Sequence, residues 1–346
     1  MEMKFKDLKL EKGMYQVAGK SFSAVLESED PSENYKGTSM EGMDAFQRQL
    51  KRFNIRVKGG GCDRVEKFFQ SAQSAVLFPE YVARSVRQGM EDSDLLPNIV
   101  AAVTTIDGTD YRAISSISEK EMTEMRRVEE GASIPQTTVI TQENLVRLHK
   151  RGRMLVASYE AIRYQRLDLF SVTLHQIGAQ ISRTLLDDAI EVLELGDGNQ
   201  NPAELIGIAD PRIGGKLNTL TYNDLVSFWA QFDPYEMKTL LVSGDVMLKL
   251  LKMPEFRDPM SGMNFQATGK LITPMGATLL RTNMLGEGKM IGLDKRYALE
   301  MVKSADVTVE YDKLIDRQLE RAAITTVVGF AKIFADAAKV MSVTGK

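Results

Sequence analysis

The sequence predicts an α+β fold, and three observations support that prediction. Residues 168–195 contain no proline and carry apolar side chains at spacings of three and four, a pattern typical of one long helix. Segments rich in β-branched residues at 99–105 and with strict alternation at 307–311 predict strands that are far apart in the chain. Between them, residues 216–303 alternate between helical and strand patterns, as expected of a compact α/β stretch.

The composition restricts the classes of function. The chain has 346 residues, 43% of them hydrophobic and 26% charged, which excludes a fully disordered protein. Its 44 basic and 47 acidic side chains leave a net charge of -3, whereas proteins that mainly grip phosphates carry a basic excess. One cysteine excludes an internal disulfide. We see neither a signal sequence nor an apolar run of membrane-spanning length, and therefore expect a chain folded in a cytoplasm.

Residues 1–75 are broken by glycines and contain two short amphipathic patterns, at 44–53 and 63–75. Asp44 and Asp63 are the predicted N-caps of these two helices. Two interpretations remain open: a small satellite domain, or an arm that lies on another surface. In the second interpretation, three aromatic side chains of the two amphipathic patterns contact a neighbouring subunit; they are Phe46, Phe68 and Phe69.

Residues 81–90 predict a helix, and the segment 108–152 predicts a long charged hairpin with strands at 111–117 and 139–154. Basic side chains share one parity of the second strand; they are Arg147, His149, Arg151 and Arg153. Acidic side chains cluster toward the tip; they are Glu119, Glu121, Glu124, Glu129 and Glu130. The hairpin is either solvated, with its own cross-strand ion pairs, or a projecting arm that pairs with a neighbouring subunit.

The long helix at 168–195 ends at a glycine-rich turn, and a compact α/β stretch follows. This stretch predicts helices at 220–232 and 245–252, the first capped by Thr221 or Asn223. The strands predicted within it lie at 239–242, 279–281 and 290–292. After the alternating segment 307–311, a β-branched strand at 323–334 is predicted to end the fold.

Signatures of catalysis are absent from the sequence. It contains neither a phosphate-binding loop nor a Ser nucleophile elbow. The acidic turn that begins at Asp197 departs from a calcium loop, because Pro202 replaces the required glycine and Ile208 the final glutamate. We therefore expect no enzyme activity, no cofactor and no metal site.

The order of elements, together with several short segments, resembles the major capsid proteins of tailed phages with the Hong Kong 97 fold. The resemblance covers residues 76–346. The segments that carry it are Val76-Leu77-Phe78-Pro79-Glu80-Tyr81-Val82, Glu129-Glu130-Gly131-Ala132, Arg153-Met154-Leu155-Val156-Ala157-Ser158-Tyr159, Asp197-Gly198-Asn199 and Leu240-Leu241-Val242-Ser243.

The resemblance implies a division into four parts. Residues 1–75 become an N-terminal arm, and 108–152 an extended loop hairpin. The peripheral domain combines 76–107, 153–215 and 304–346, and includes the spine helix at 168–195. Residues 216–303 become the axial domain.

The resemblance also implies a structural function. Copies of the chain would form hexamers and pentamers of an icosahedral shell that encloses the double-stranded DNA of a tailed bacteriophage or prophage. The implied partners are the chain itself, portal and scaffolding proteins, and DNA without sequence specificity, with no membrane involved. The implied location is the virion capsid, assembled in the bacterial host cytoplasm. The alternative is the shell subunit of an encapsulin-type nanocompartment, which resembles the same fold but encloses enzymes.

Overall fold

The computed structural model divides the chain into two compact units, each built from three segments. The structure describes residues 7–17, 20–116, 127, 130, 139–257, 271–314 and 318–345. Unit 1 takes its described residues from Met1–Asp94, Lys150–Ser182 and Asp306–Thr326. Unit 2 takes them from Leu95–His149, Arg183–Ala305 and Val327–Lys346.

The helices of the described residues are mostly short, with one exception of 29 residues. They are α1 (Phe22–Glu29), α2 (Ala45–Arg52), α3 (Ala72–Ala75), α4 (Phe78–Glu91), α5 (Tyr159–Tyr164), α6 (Leu167–Leu195), α7 (Tyr222–Trp229), α8 (Gly244–Lys252) and α9 (Pro254–Arg257). None of these helices is long and apolar enough to cross a membrane.

In the part of the chain that the structure describes, the strands form three sheets. They are β1 (Val100–Thr105), β2 (Ile114–Ser116), β3 (Val139–Thr141), β4 (Leu148–Ser158), β5 (Glu204–Gly207), β6 (Thr239–Val242), β7 (Thr278–Arg281), β8 (Lys289–Leu293), β9 (Leu299–Leu314), β10 (Leu319–Lys332) and β11 (Ala338–Ser342). The sheet orders are β1-β9-β10-β4, β5-β11-β8-β6-β7 and β2-β3. Helices and mixed sheets together confirm the predicted α+β class.

The five-stranded sheet of unit 2 has β8 at its centre, antiparallel to both β11 and β6. All four residues of β6 are buried, as expected of a strand covered on both faces. Gly292 in β8 is required by packing, because a Cβ there would lie 2.7 Å from the Phe232 ring and 2.9 Å from the Met237 sulfur. The aromatic rings of Phe228 and Phe232 therefore pack directly on the backbone of this strand.

The core of unit 1 forms around α4 and α6. Phe78 stacks at 6.1 Å on Phe170 and packs edge-on at 5.6 Å against Phe68. The Tyr81 hydroxyl donates a 2.8 Å hydrogen bond to the Leu167 carbonyl at the start of α6. The long helix predicted at 168–195 is confirmed, and its periodic apolar side chains are all buried; they are Phe170, Leu174, Ile177, Ile181 and Leu185.

The N-terminal segment packs into unit 1 through a small core of its own. Asp44 caps α2 in a capping box with Gln47, as predicted from the sequence. Arg48 is 1% exposed and donates from Nε to the Asp30 carboxylate at 3.0 Å, so a buried ion pair holds α2 against the end of α1. Within one chain the described residues of this segment therefore pack against one another, and its role as an arm stays a prediction.

The second N-terminal cap was predicted wrongly. The Asp63 carboxylate accepts the Arg56 backbone N–H at 2.8 Å and closes a loop instead of starting a helix. The segment 63–75 forms a 3-10 helix at Val65–Gln70 and then α3, which is capped by Ser71.

The predicted strand at 139–154 is divided in two by the structure. Strand β3 ends at Thr141 and pairs with β2, whereas β4 begins at Leu148 and joins the four-stranded sheet. The turn between them has a physical reason, because the backbone of Gln142 bonds to Ala113 and that of Val146 to Tyr111. The chain therefore changes sheets at this point.

The prediction that a strand at 323–334 ends the fold is also wrong. That segment is β10, which covers Leu319–Lys332, and β11 follows it. Strand β11 lies between β5 and β8, with Val340 opposite both Leu205 and Ile291. The sheet of unit 2 is thus completed by the last strand of the chain.

Candidate assembly surfaces

The basic side chains predicted to share one parity lie at and along β4. Arg147 and His149 are exposed and Arg151 is half-buried. Arg153 is exposed and donates a hydrogen bond to Gln180 on α6. On the opposite parity of β4, Met154 and Val156 are 54% and 48% exposed. Since Arg147, His149 and Arg153 are exposed, most of the basic row is accessible within a single chain.

Most of the acidic residues predicted at the hairpin tip lie outside the described residues; they are Glu119, Glu121, Glu124 and Glu129. Glu130 is described and is exposed at a turn. Contact between the acidic side chains and a neighbouring subunit stays a prediction.

The three phenylalanines predicted as inter-subunit contacts are drawn into the chain's own packing. Phe46 is 3% exposed and Phe68 is fully buried, while Phe69 is half-buried and packs at 5.1 Å from Phe78. For Phe46 or Phe68 to reach a neighbour, the N-terminal segment would have to leave unit 1. That contact remains a prediction.

An acidic row on β9 was missed in the sequence. Asp306, Glu310 and Asp312 share one parity and are exposed. Arg87 lies 3.4 Å from the Asp306 carboxylate, and Arg321 donates to Asp312 at 2.6 Å. The sequence does indicate this row. Apolar residues alternate from Val307 to Tyr311, so the side chains of the opposite parity must face away from the core.

The root of the hairpin is fixed in unit 2 by backbone and side-chain bonds. The Gln142 N–H donates to the Ala113 carbonyl at 2.9 Å, and the Val146 N–H donates to the Tyr111 carbonyl at 2.8 Å. The Tyr111 hydroxyl donates at 2.8 Å to the Glu300 carboxylate on β9. A small apolar cluster lies beneath these bonds; its buried members are Ala113, Val146, Val302 and Ala331.

A buried lysine connects β10 to the loop that follows α6. Lys332 is 0% exposed, and its ammonium donates at 2.9 Å to the Asn201 carbonyl. The Lys332 backbone N–H donates at 3.0 Å to the Asp197 carboxylate, which is 9% exposed. Burial lowers the pKa of the Lys332 amine from 10.5 to about 8, and the negative charges of Asp197 and Asp336 partly oppose this shift.

Amide side chains extend this network to the hairpin root. Gln142 donates from Nε2 to the Lys332 carbonyl at 3.1 Å and accepts from Asn199 Nδ2 at 2.9 Å. Asn144 donates from its backbone to Asn199 Oδ1 at 3.0 Å and from Nδ2 to the Gly198 carbonyl at 2.8 Å. The sequence predicts that this glycine-rich turn ends the long helix, and Pro202 and Ile208 rule it out as a calcium loop. In the structure, Gly198 and Asn199 of this turn bond to the hairpin root.

The described part of the chain offers no metal-binding cluster, since no three His, Cys, Asp or Glu side chains in it converge on one point. The candidate surfaces consist instead of the basic row at β4, the acidic row on β9 and the hydrogen-bonded network at the hairpin root. Such an arrangement can form contacts between chains and hold them in one geometry.

Comparisons with known proteins agree with a role in contacts between chains. Residues 141–338 match a family model described as phage capsid protein. None of the curated proteins matches the chain. Among solved structures, the chain is similar to the virus-like particle from Pyrococcus furiosus, with 14% identity over 77% of this chain and 99% of that chain and a TM-score of 0.51. It is also similar to the capsid of an empty GTA particle, with 13% identity over 72% of this chain and 90% of that chain and a TM-score of 0.50.

Proposed function

The chain belongs to the phage capsid protein family and has the predicted Hong Kong 97-type α+β fold, and from this premise we propose that it is the major capsid protein of a tailed bacteriophage or prophage. Copies of it close into hexamers and pentamers, and these form an icosahedral shell around double-stranded DNA. The role is structural and not catalytic.

The observation that supports this proposal most is the extent of the family match. It covers 198 residues, from the end of β3 through α6 and the five-stranded sheet to the start of β11. The match therefore includes parts of both compact units: Lys150–Ser182 and Asp306–Thr326 of unit 1, and most of the described residues of unit 2.

We place the contacts between neighbouring copies partly on the basic row at β4. Arg147 and Arg153 are exposed, and Arg151 lies between them on the same parity. In a shell each ion pair between copies is repeated by symmetry, and complementary charge selects the register of the contact. The acidic row at Asp306, Glu310 and Asp312 offers a second charged surface of opposite sign.

The remaining partners follow from the proposed role. Portal and scaffolding proteins, which the resemblance to tailed-phage capsid proteins implies, belong to the proposal. With a net charge of -3 the chain can hold DNA only through weak contacts that do not depend on sequence. Assembly takes place in the bacterial host cytoplasm, and the final location is the virion capsid.

An encapsulin-type nanocompartment is the second candidate. It is favoured by the likeness to the virus-like particle from Pyrococcus furiosus, 99% of which is covered. Portal or terminase genes beside the gene for this chain would exclude it.

Electron microscopy of the purified protein tests the proposal. We expect closed shells built from hexamers and pentamers, formed by the chain alone or with its cognate scaffolding protein. Sedimentation that shows only monomers or dimers under both conditions would contradict it. Co-purification of a cargo enzyme inside the particles would favour the second candidate.

A further inference from the structure

The network around Lys332 joins three segments that are far apart in the chain. Strand β10 contributes Lys332, the turn after α6 contributes Asp197 and Asn199, and the chain after β3 contributes Gln142 and Asn144. All of these residues belong to unit 2. We call these five residues the root clamp.

The root clamp is well bonded for a group of polar side chains. Lys332 is fully buried, and Gln142 is 7% exposed with both ends of its amide in hydrogen bonds. Asn199 donates to both Gln142 and Asp197 and accepts from Asn144. The buried part of this network, at Lys332, Asp197 and Gln142, favours one arrangement, because displacement of these groups leaves a buried donor or acceptor without a partner.

The clamp acts at the point where the chain changes sheets. Gln142 follows β3 directly, and β4 begins only six residues later, at Leu148. The apolar cluster beneath the root has four small or medium-sized buried side chains. Because apolar packing is non-directional, this cluster does not by itself fix the orientation of the hairpin. Hydrogen bonds are directional, so the amides can orient β2 and β3 relative to the rest of unit 2.

We propose that the root clamp is a positioning device that fixes the direction of the β2–β3 hairpin and thereby the geometry in which copies of the chain join. The part of this inference that concerns assembly rests on the proposed function. The part that concerns the hairpin root stands on the hydrogen bonds alone.

Asn144 is the most suitable residue to change, since it is exposed and its replacement leaves no cavity. Asn144→Asp is nearly isosteric but removes the donor to Gly198 and places a carboxylate against that carbonyl. Asn144→Ala removes the side-chain bond without adding a charge. Glu143→Ala is the matched control, because Glu143 is the exposed neighbour between the two clamp amides.

The first readout is hydrogen exchange of the Gln142 and Val146 backbone amides in unassembled subunits. We expect both Asn144 variants to raise these exchange rates about tenfold or more, while the control keeps the wild-type rates. Gln142→Leu, which removes two further bonds, should raise them more. Unchanged rates in all three variants would show that the root does not depend on the clamp.

The second readout is the size and shape of particles in electron micrographs. We expect the Asn144 variants to yield shells of mixed diameter or open sheets, with the circular dichroism of the subunit unchanged. Uniform wild-type shells from variants with accelerated exchange would overturn the assembly role. Failure of the wild-type chain to form shells would count against the proposed function, and the exchange rates would still decide whether the clamp exists.

Discussion

Lys332 is a cation placed where a neutral side chain would be expected. It stands in the apolar strand β10, is fully buried, and lies close enough to Asp197 and Asp336 for their charges to act on it. The remaining shift is toward the neutral amine, since lost hydration outweighs both carboxylates. The folded chain therefore releases this proton more readily than the unfolded chain.

This difference predicts a pH-dependent stability. Below about pH 8 both states hold the proton, and the burial penalty is present in full. Between about 8 and 10.5 the folded state is already neutral while the unfolded chain is still protonated, so the free energy of unfolding rises with pH. Relative to Lys332→Met, we expect the wild-type protein to gain up to about 3 kcal/mol over this interval.

Urea unfolding at pH 7, 8, 9 and 10 measures this gain. The comparison with Lys332→Met removes the contribution of other groups, which titrate equally in both proteins. Parallel pH profiles for the two proteins would mean that Lys332 keeps an ordinary pKa in the folded state.

A residue such as Lys332 marks a limit of prediction from the sequence. A lysine inside a β-branched run usually lies on an exposed edge, and its burial depends on acceptors more than 130 residues away at Asp197 and Asn201. Local capping could be predicted, because Asp44 and Thr221 bond to residues three positions on. Asp63 has the same local pattern but bonds backward to Arg56, and no local rule distinguishes the two cases.

The crossing of α4 and α6 depends on two glycines. A Cβ on Gly89 would overlap the backbone of His175, and a Cβ on Gly178 would overlap the backbone of Val86. Both obstacles are main-chain atoms of the facing helix, which cannot rotate away. Helix α4 and the part of α6 that belongs to unit 1 therefore approach more closely than ordinary side chains allow.

We expect Gly178→Ala to destabilise the chain by about 1–3 kcal/mol or more, because the helices must separate to admit the methyl group. Gly60→Ala is the control, since a Cβ there meets nothing within 4 Å. Thermal melting of both variants measures the effect. Equal melting temperatures would show that the helix pair adjusts without cost.

At the level of elements, the sequence predicted the long helix well and the sheets poorly. The periodicity around Leu174 and Ile181 is local and repeats over many turns, so it identifies α6 by itself. The end of β3 at Thr141 and the presence of β11 depend instead on pairing with distant strands. The shared parity of the basic side chains from Arg147 to Arg153 could be predicted from the sequence. The hydrogen-bonded network at the root of the β2–β3 hairpin could not.

On the scale of the whole molecule, the basic row of β4 is expected to serve assembly more than folding. We predict that Arg151→Glu with Arg153→Glu blocks shell formation and leaves the subunit folded, because the reversed charges repel the surface they match on a neighbour. The bond from Arg153 to Gln180 is exposed and contributes little to stability.

Circular dichroism, thermal melting and electron microscopy of the assembly reaction test this prediction. Arg183→Glu with Lys216→Glu makes the same change in net charge at two exposed positions of unit 2 and serves as the control. Normal particles from the β4 variant would remove this row from the interface, and a lost melting transition would show that it serves the fold.

The N-terminal segment is expected to remain in mature particles. The Tyr15 hydroxyl donates at 2.8 Å to the Val76 carbonyl, and Phe68 packs on Phe78, so removal of residues 1–75 would expose the aromatic core of unit 1. The intact mass of protein from purified particles should include residues 1–75 and reach at least the 38.6 kDa of these 346 residues. Loss of several kilodaltons from the N-terminus would contradict this expectation.

The interleaving of segments in the two units has a consequence for synthesis on the ribosome. Unit 1 lacks its last segment until residue 326 has been made, 232 residues after its first segment ends at Asp94. At about 5–20 residues per second, the N-terminal part waits roughly 10 to 50 seconds for the strands that complete it. A nascent chain therefore presents no finished subunit surface until residue 326 has been made. Neighbouring chains on one messenger RNA cannot join into a shell before each of them has reached this residue.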